Sequence, residues 1–153
     1  MIAVIGCGNP NRSDDGVAGE VLRRLKAPRS HDVKLLDAGT DGIAVMFAAR
    51  GCQRLILVDA CRTGAEPGTV FEVPGAELDR HDGPPLATHA FRWDDAIVAG
   101  RRLYREQLPD DVTVFLVEAK SVDFGMGLSP EVSASAAIVA NRIALLIERD
   151  VAP

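Results

Sequence analysis

The sequence predicts an α/β fold, a three-layer α/β/α sandwich around a mostly parallel, twisted sheet of about five strands. Three observations predict it. Short apolar runs at residues 2–5, 54–60 and 112–118 suit strands buried on both faces of a parallel sheet. Segments of helical period lie between them, so strand and helix alternate along the chain. No internal repeat or low-complexity tract interrupts that order, and 153 residues are enough for one domain with a good core, spanning 1–153.

The elements follow in order. Ile2-Ala3-Val4-Ile5 is the first strand, and Gly6-Cys7-Gly8-Asn9-Pro10 leaves it as a loop in which two glycines let the backbone turn sharply. Val17, Val21, Leu22 and Leu25 recur at helical spacing, with Glu20, Arg23, Arg24 and Lys26 on the other side and Pro28 as a stop. Residues 33–37 read as a second strand. Thr40 or Asp41 is placed to cap a short helix through Ile43, Val45, Met46 and Phe47 that Gly51 ends. Residues 54–60 form the central strand, closing in Asp59. Residues 69–73 alternate between Gly68 and Pro74, as a short antiparallel edge strand would. Residues 74–87 hold three prolines and two glycines and read as the least ordered stretch. From Thr88 a helix carries Trp93, Ile97, Tyr104 and Leu108 on one face, with Asp94 and Asp95 in its first turn to suit the helix dipole. After the strand at 112–118, Ser129-Pro130-Glu131 has the form of a helix start, and Val132, Ala136, Val139, Ile143 and Leu146 keep its period.

Composition excludes some classes. The apolar fraction of 47% and charged fraction of 25% belong to an ordinary soluble globular chain. A net charge of −5 argues against nucleic acid, which wants a basic face. Cys7, Cys52 and Cys61 are odd in number and lack CxxC spacing, so they read as reduced thiols in a reducing compartment. No basic region precedes the first apolar run, and no apolar stretch reads as long enough to span a bilayer. The expectation is a cytoplasmic protein with no membrane partner, able to act as a monomer.

Ligands of open α/β sheets sit outside the carboxyl ends of the strands. Asp15 follows strand one, Asp59 ends the central strand, and His89 lies in the loop or first turn after the edge strand. Two carboxylates and an imidazole form a hard-to-borderline ligand set that suits nickel, zinc, iron or manganese and leaves positions open for a substrate. Taken singly, an aspartate at a strand end reads as a turn or cap residue, and a lone histidine as a surface one. The case rests on all three converging.

Gly6-Cys7-Gly8-Asn9-Pro10 with Asp14-Asp15-Gly16 resembles the opening motif of the hydrogenase maturation proteases, endopeptidases that trim the C-terminal tail from the large subunit of nickel–iron hydrogenases. The likeness continues through residues 37–42, Leu57-Val58-Asp59-Ala60, Thr88-His89-Ala90-Phe91, Glu118 and residues 125–130, in order along nearly the whole chain. The resemblance implies a phosphorylase/hydrolase-like sheet and an aspartic-type endopeptidase. Its metal-contacting trio maps onto Asp15, Asp59 and His89, with glutamate at the first position in some members. The implied partner is a hydrogenase large-subunit precursor whose own nickel is the recognition handle, and such a site would also take zinc or cadmium. Peptide hydrolysis would proceed by metal polarisation of the carbonyl with either carboxylate as general base. Ala18 stands where a glycine is common, and residues 74–87 are the least like the family.

Other residues carry two readings each. Asp14 either orients a metal ligand or caps the first helix. Asn9 shapes the loop or contacts a substrate backbone. Asp37 and Thr40, at the same rim, bind substrate or serve the turn. Cys7 or Cys61 as a thiolate paired with His89 is set against two small buried cysteines. Cys52 reads as structural, and His31 and His81 as solvated. Glu118 reaches the cleft or pairs with Lys120, and Trp93 and Tyr104 read as core.

Three other functions compete. A dinucleotide-binding domain fits Gly6-x-Gly8 and Asp37, but position 11 is Asn and two carboxylates would repel a pyrophosphate. A peptidyl-tRNA hydrolase opens similarly but wants a histidine after the turn and a basic surface. A non-cleaving metal-binding or chaperone module for a metalloenzyme precursor fits too, since the proposed site has no independent nucleophile.

Overall fold

A computed structural model describes residues 1–25, 32–78 and 92–151. Five strands form one sheet: β1 Ile2–Gly6, β2 Val33–Asp37, β3 Arg54–Cys61, β4 Val70–Pro74 and β5 Asp111–Glu118. Their spatial order is β2-β1-β3-β5-β4. β1, β2, β3 and β5 run parallel, and β4 pairs antiparallel with β5 at the edge. β1 and β3 are buried along their whole length, which is why their sequences are unbroken apolar runs.

The side-chain alternation of the strands feeds two separate cores. Val4, Ile56, Val58, Phe115 and Val117 face α1 (Val17–Leu25) and α5 (Pro130–Val151). Ile5, Leu55, Leu57, Val114 and Leu116 face α2 (Gly42–Ala49) and α4 (Trp93–Tyr104). The three layers and the mostly parallel sheet of five strands are those the sequence predicts. Asp41, not Thr40, caps α2: its carboxylate accepts from Ile43 N at 2.9 Å and Ala44 N at 3.0 Å. Leu108 is buried with α4's core but lies beyond that helix, after a 3-10 turn at Arg105–Gln107. A four-residue helix, α3 at Gly75–Leu78, opens the stretch read as least ordered. Pro28 lies outside the described residues.

By length and composition, α5 would pass for a membrane span over Pro130–Asp150, against the expectation that no stretch would. In the fold it packs on α1 and the sheet and buries Val132, Ala136, Val139, Ile143 and Leu146. Arg142 reaches from it to Glu72 on β4 at 3.0 Å.

The chain runs from β1 through α1 to β2 on one side, then through α2 back across β1 to β3 on the other. The connections therefore diverge between the carboxyl ends of β1 and β3, the place where such sheets bind ligands.

Candidate active site

The loop that leaves β1 folds back on itself, bringing Gly8 against Asp15 and Pro10 against Gly16. At Gly8 the backbone sits at φ +140°, and a Cβ there would lie 1.9 Å from the Asp15 carbonyl oxygen, so only glycine fits. A 3-10 turn at Ser13–Gly16 then places two buried acids side by side. At three residues per turn, neighbours point a third of a turn apart. The two carboxylates accordingly part company.

Asp15 turns inward to its own loop, where its Oδ2 accepts from Asn9 N at 2.9 Å. Asp14 turns to the far side. It accepts from Lys120 N, Ser121 N, Ser129 N and the Ser129 hydroxyl at 2.7 to 3.2 Å. The reading of Asp14 as a cap of the first helix is therefore corrected. Its acceptor lone pairs go to the segment after β5, and a buried, fully engaged carboxylate has little to offer a substrate.

Asp59 lies on the α2/α4 face of β3 and is wholly buried; it does not close the strand, which pairs with β5 for two residues more, to Cys61. Its Oδ1 accepts from Ala60 N at 2.8 Å and its Oδ2 from the Trp93 indole Nε1 at 2.9 Å. Trp93, read as core, is core with its one polar atom spent on orienting Asp59. Asn9 shapes the loop, its Oδ1 accepting from Asn11 N at 2.9 Å. Asp37 closes a turn by accepting from Gly39 N at 2.9 Å, and Thr40 is exposed beside it.

Cys7 lies in the electrostatic field of these acids. Burial pushes its thiol up, and the negative charges of Asp59, Asp37 and Asp15 push it further in the same direction. Three carboxylates, from β1's loop, β2 and β3, thus act on one buried thiol through their charge. A thiol so placed stays protonated, which counts against the thiolate reading of Cys7. Cys61 is held the same way, by burial, by its bond to Glu118 and by the Glu118 and Asp59 charges.

Glu118 does not pair with Lys120, which instead bonds Glu131 at 2.9 Å. It lies opposite Cys61 at the end of β5 and accepts from Thr63 N, the Thr63 hydroxyl, Gly64 N and the Cys61 thiol. Burial alone would raise its pKa, but these donors outweigh burial and hold it below the ordinary value of 4.5. It thereby fixes the loop that follows Asp59. Sequence reasoning missed this role because the partners lie more than fifty residues away.

His89, the third proposed metal contact, lies outside the described residues, as do His31, His81, Thr88 and Phe91. Among the described residues no group of three or more His, Cys, Asp or Glu side chains is placed to hold a metal ion. The described acids at this rim are Asp15, Asp37 and Asp59, carried by the loop after β1 and by the carboxyl-terminal parts of β2 and β3. Asp14 and Glu118 stand outside that group as struts.

Known proteins match this architecture. Residues 17–145 match the family model described as hydrogenase maturation protease. The chain is 34% identical over 147 residues to the coenzyme F420 hydrogenase subunit delta of Methanothermobacter thermautotrophicus, covering 86% of this chain and 84% of that one. It is 28% identical over 135 residues to the hydrogenase expression/formation protein HupD of Thiocapsa roseopersicina, covering 86% of this chain and 60% of the other. Among solved structures, the hydrogenase maturating endopeptidase HybD of Escherichia coli superposes with a TM-score of 0.84 at 24% identity, over 99% of this chain and 94% of that one, a likeness of fold. With the family model spanning most of its length and a relative at 34% identity over most of both chains, this chain belongs to the hydrogenase maturation protease family and is a peptidase.

Proposed function

We propose that the chain is an endopeptidase that removes the C-terminal extension of a nickel-loaded hydrogenase large-subunit precursor, acting in the cytoplasm as a monomer. The observation that carries this reading is the placement of two buried acids, Asp15 and Asp59, on the loop after β1 and on the neighbouring parallel strand β3, at the same end of the sheet. Carboxylates at the switch point between β1 and β3 favour a cationic group there, and the substrate's own nickel is such a group. In this reading Asp15 and Asp59 contact that metal together with His89, and zinc or cadmium would fit the same donors. Nickel on the substrate polarises the scissile carbonyl. The chain's residues do the rest: Trp93 and Ala60 aim Asp59, Asn9 aims Asp15, and one of the two carboxylates takes the proton of the attacking water. Cys7 and Cys61, held protonated, take no part.

The test is incubation of the purified chain with a nickel-loaded precursor, followed by mass measurement of the product. Loss of a C-terminal fragment is the expected result, and an Asp59→Asn or His89→Ala variant should cut at least about a hundredfold more slowly. Precursor stripped of nickel should stay intact. Binding without any change of mass would leave a chaperone in place of a protease. Equal cutting by wild type and both variants would remove Asp59 and His89 from the mechanism.

A further inference from the structure

We infer that Phe124 and Met126 are the anchors by which this peptidase docks its protein substrate beside the candidate site. The inference rests on the protease reading above and adds to it where the substrate is gripped. Phe124 is 84% exposed and Met126 78% exposed, two large apolar side chains one residue apart on the segment that follows β5.

Exposed apolar residues on a loose loop would mean little. This segment is bolted down. Ser13 N donates to Gly125 O at 2.8 Å, and Gly125 N donates to Asn11 O at 2.9 Å. Arg12 Nε reaches Val122 O at 3.0 Å and the Ser13 hydroxyl reaches Asp123 O at 2.8 Å. The buried Asp14 carboxylate takes four more donors from Lys120, Ser121 and Ser129. Ser13 itself sits at φ +52°, a conformation that a non-glycine residue holds only when its surroundings demand it. A preorganised loop that holds aromatic and thioether side chains out in solvent loses little entropy when a partner covers them.

The occupant follows from continuity with the site. Arg12 stacks over the Phe124 ring at 4.9 Å, and its carbonyl accepts from Asp15 N at 3.1 Å. The chain of contact from Phe124 to the Asp15 backbone thus has one residue in it. Both loops leave carboxyl ends of parallel strands, so anchor and cleavage site open at the same end of the sheet. Whatever seats on Phe124 also meets Arg12, whose backbone holds the turn that carries Asp15. For a peptidase that is its substrate, and a second copy of this chain seated there would cover the loop that carries Asp15. The partner surface to match is an apolar pocket on the precursor.

The decisive experiment compares wild type with Phe124→Ser/Met126→Ser on the purified nickel-loaded precursor. The expected result is a KM raised roughly tenfold or more with kcat within about twofold, and an unchanged melting temperature. Phe124→Leu/Met126→Leu should restore the wild-type KM. Unchanged kcat/KM in the serine pair overturns the inference, as does a fall confined to kcat. If wild type leaves the precursor uncut, the protease reading fails and calorimetric binding of the same precursor decides this one: weaker binding by the serine pair supports it, and equal binding overturns it. A concentration-dependent dimer that the serine pair abolishes would assign the patch to a second copy and also overturn it.

Discussion

Two buried groups near the site respond to pH and reagents in opposite ways. Cys7 is pushed towards the thiol by burial first and by Asp59, Asp37 and Asp15 after that. Native protein should therefore resist iodoacetamide at Cys7 and Cys61 even at about pH 9, where a free thiol reacts readily. Unfolding in urea should expose all three cysteines to it. Rapid labelling of Cys7 in the native state would show that the carboxylates do not crowd it. Cys7→Ala should also leave precursor processing within about twofold of wild type, which a nucleophilic role forbids. Glu118 behaves in the other sense. Its folded pKa lies below 4.5 because the Thr63, Cys61 and Gly64 donors outweigh the penalty of burial. A carboxylate with a depressed folded pKa stabilises the fold above its unfolded pKa, and this is lost as pH falls through the folded value. Wild type should lose stability progressively below about pH 4.5, and Glu118→Gln should show a shallower loss there, having already lost about 1–3 kcal/mol at neutral pH. Urea midpoints measured across that range check it, and parallel curves for the two proteins would refute it.

Among the elements, those with strong local patterns were legible in the sequence and those made by distant pairing were not. β1, β3 and β5 announce themselves as apolar runs, and β4 by alternation between Gly68 and Pro74. That Asp15 follows β1 and that Asp59 lies on the central strand was legible as well, because the strands that carry them are unbroken apolar runs. Asp14 was not. Adjacent acids in one turn look alike in sequence, and the bonds that separate their roles reach 115 residues along the chain. Glu118 misled for a similar reason, since Lys120 is near in sequence while Thr63 is near in space. The four residues of α3 are too few for any period to show. Asp14 makes the element-scale prediction. Asp14→Asn keeps the size but replaces one acceptor oxygen with a donor facing backbone N–H groups. The variant should lose about 2 kcal/mol or more. Its loss should be local, with the amides of residues 120–129 exchanging faster while those of β1 and β3 are least affected. Wild-type exchange at 120–129 would mean that Asp14 does not hold the segment.

At the scale of the whole molecule, one sheet serves two cores, and neither helical layer can keep its core without that sheet. Leu57 points to the α2/α4 face and Ile143 packs from α5 on the opposite one, and both are fully buried. Truncating either to alanine removes several methyl and methylene groups and leaves a cavity, a loss of about 2–5 kcal/mol in each case. The two residues touch different cores, so their losses should add to within about 0.5 kcal/mol in the double variant. They should nonetheless move a single unfolding transition, because β3 carries Leu57 on one side and Ile56 and Val58 into Ile143's core on the other. Loss of one layer exposes a face of the strands that the other layer needs in place. Urea denaturation followed by Trp93 fluorescence in the α2/α4 layer, and by far-ultraviolet circular dichroism for all the helices, measures both at once. Coincident curves that shift together in Leu57→Ala and in Ile143→Ala are the expected outcome. A fluorescence transition that Leu57→Ala moves and Ile143→Ala leaves in place would mean that the two layers fold as separate units.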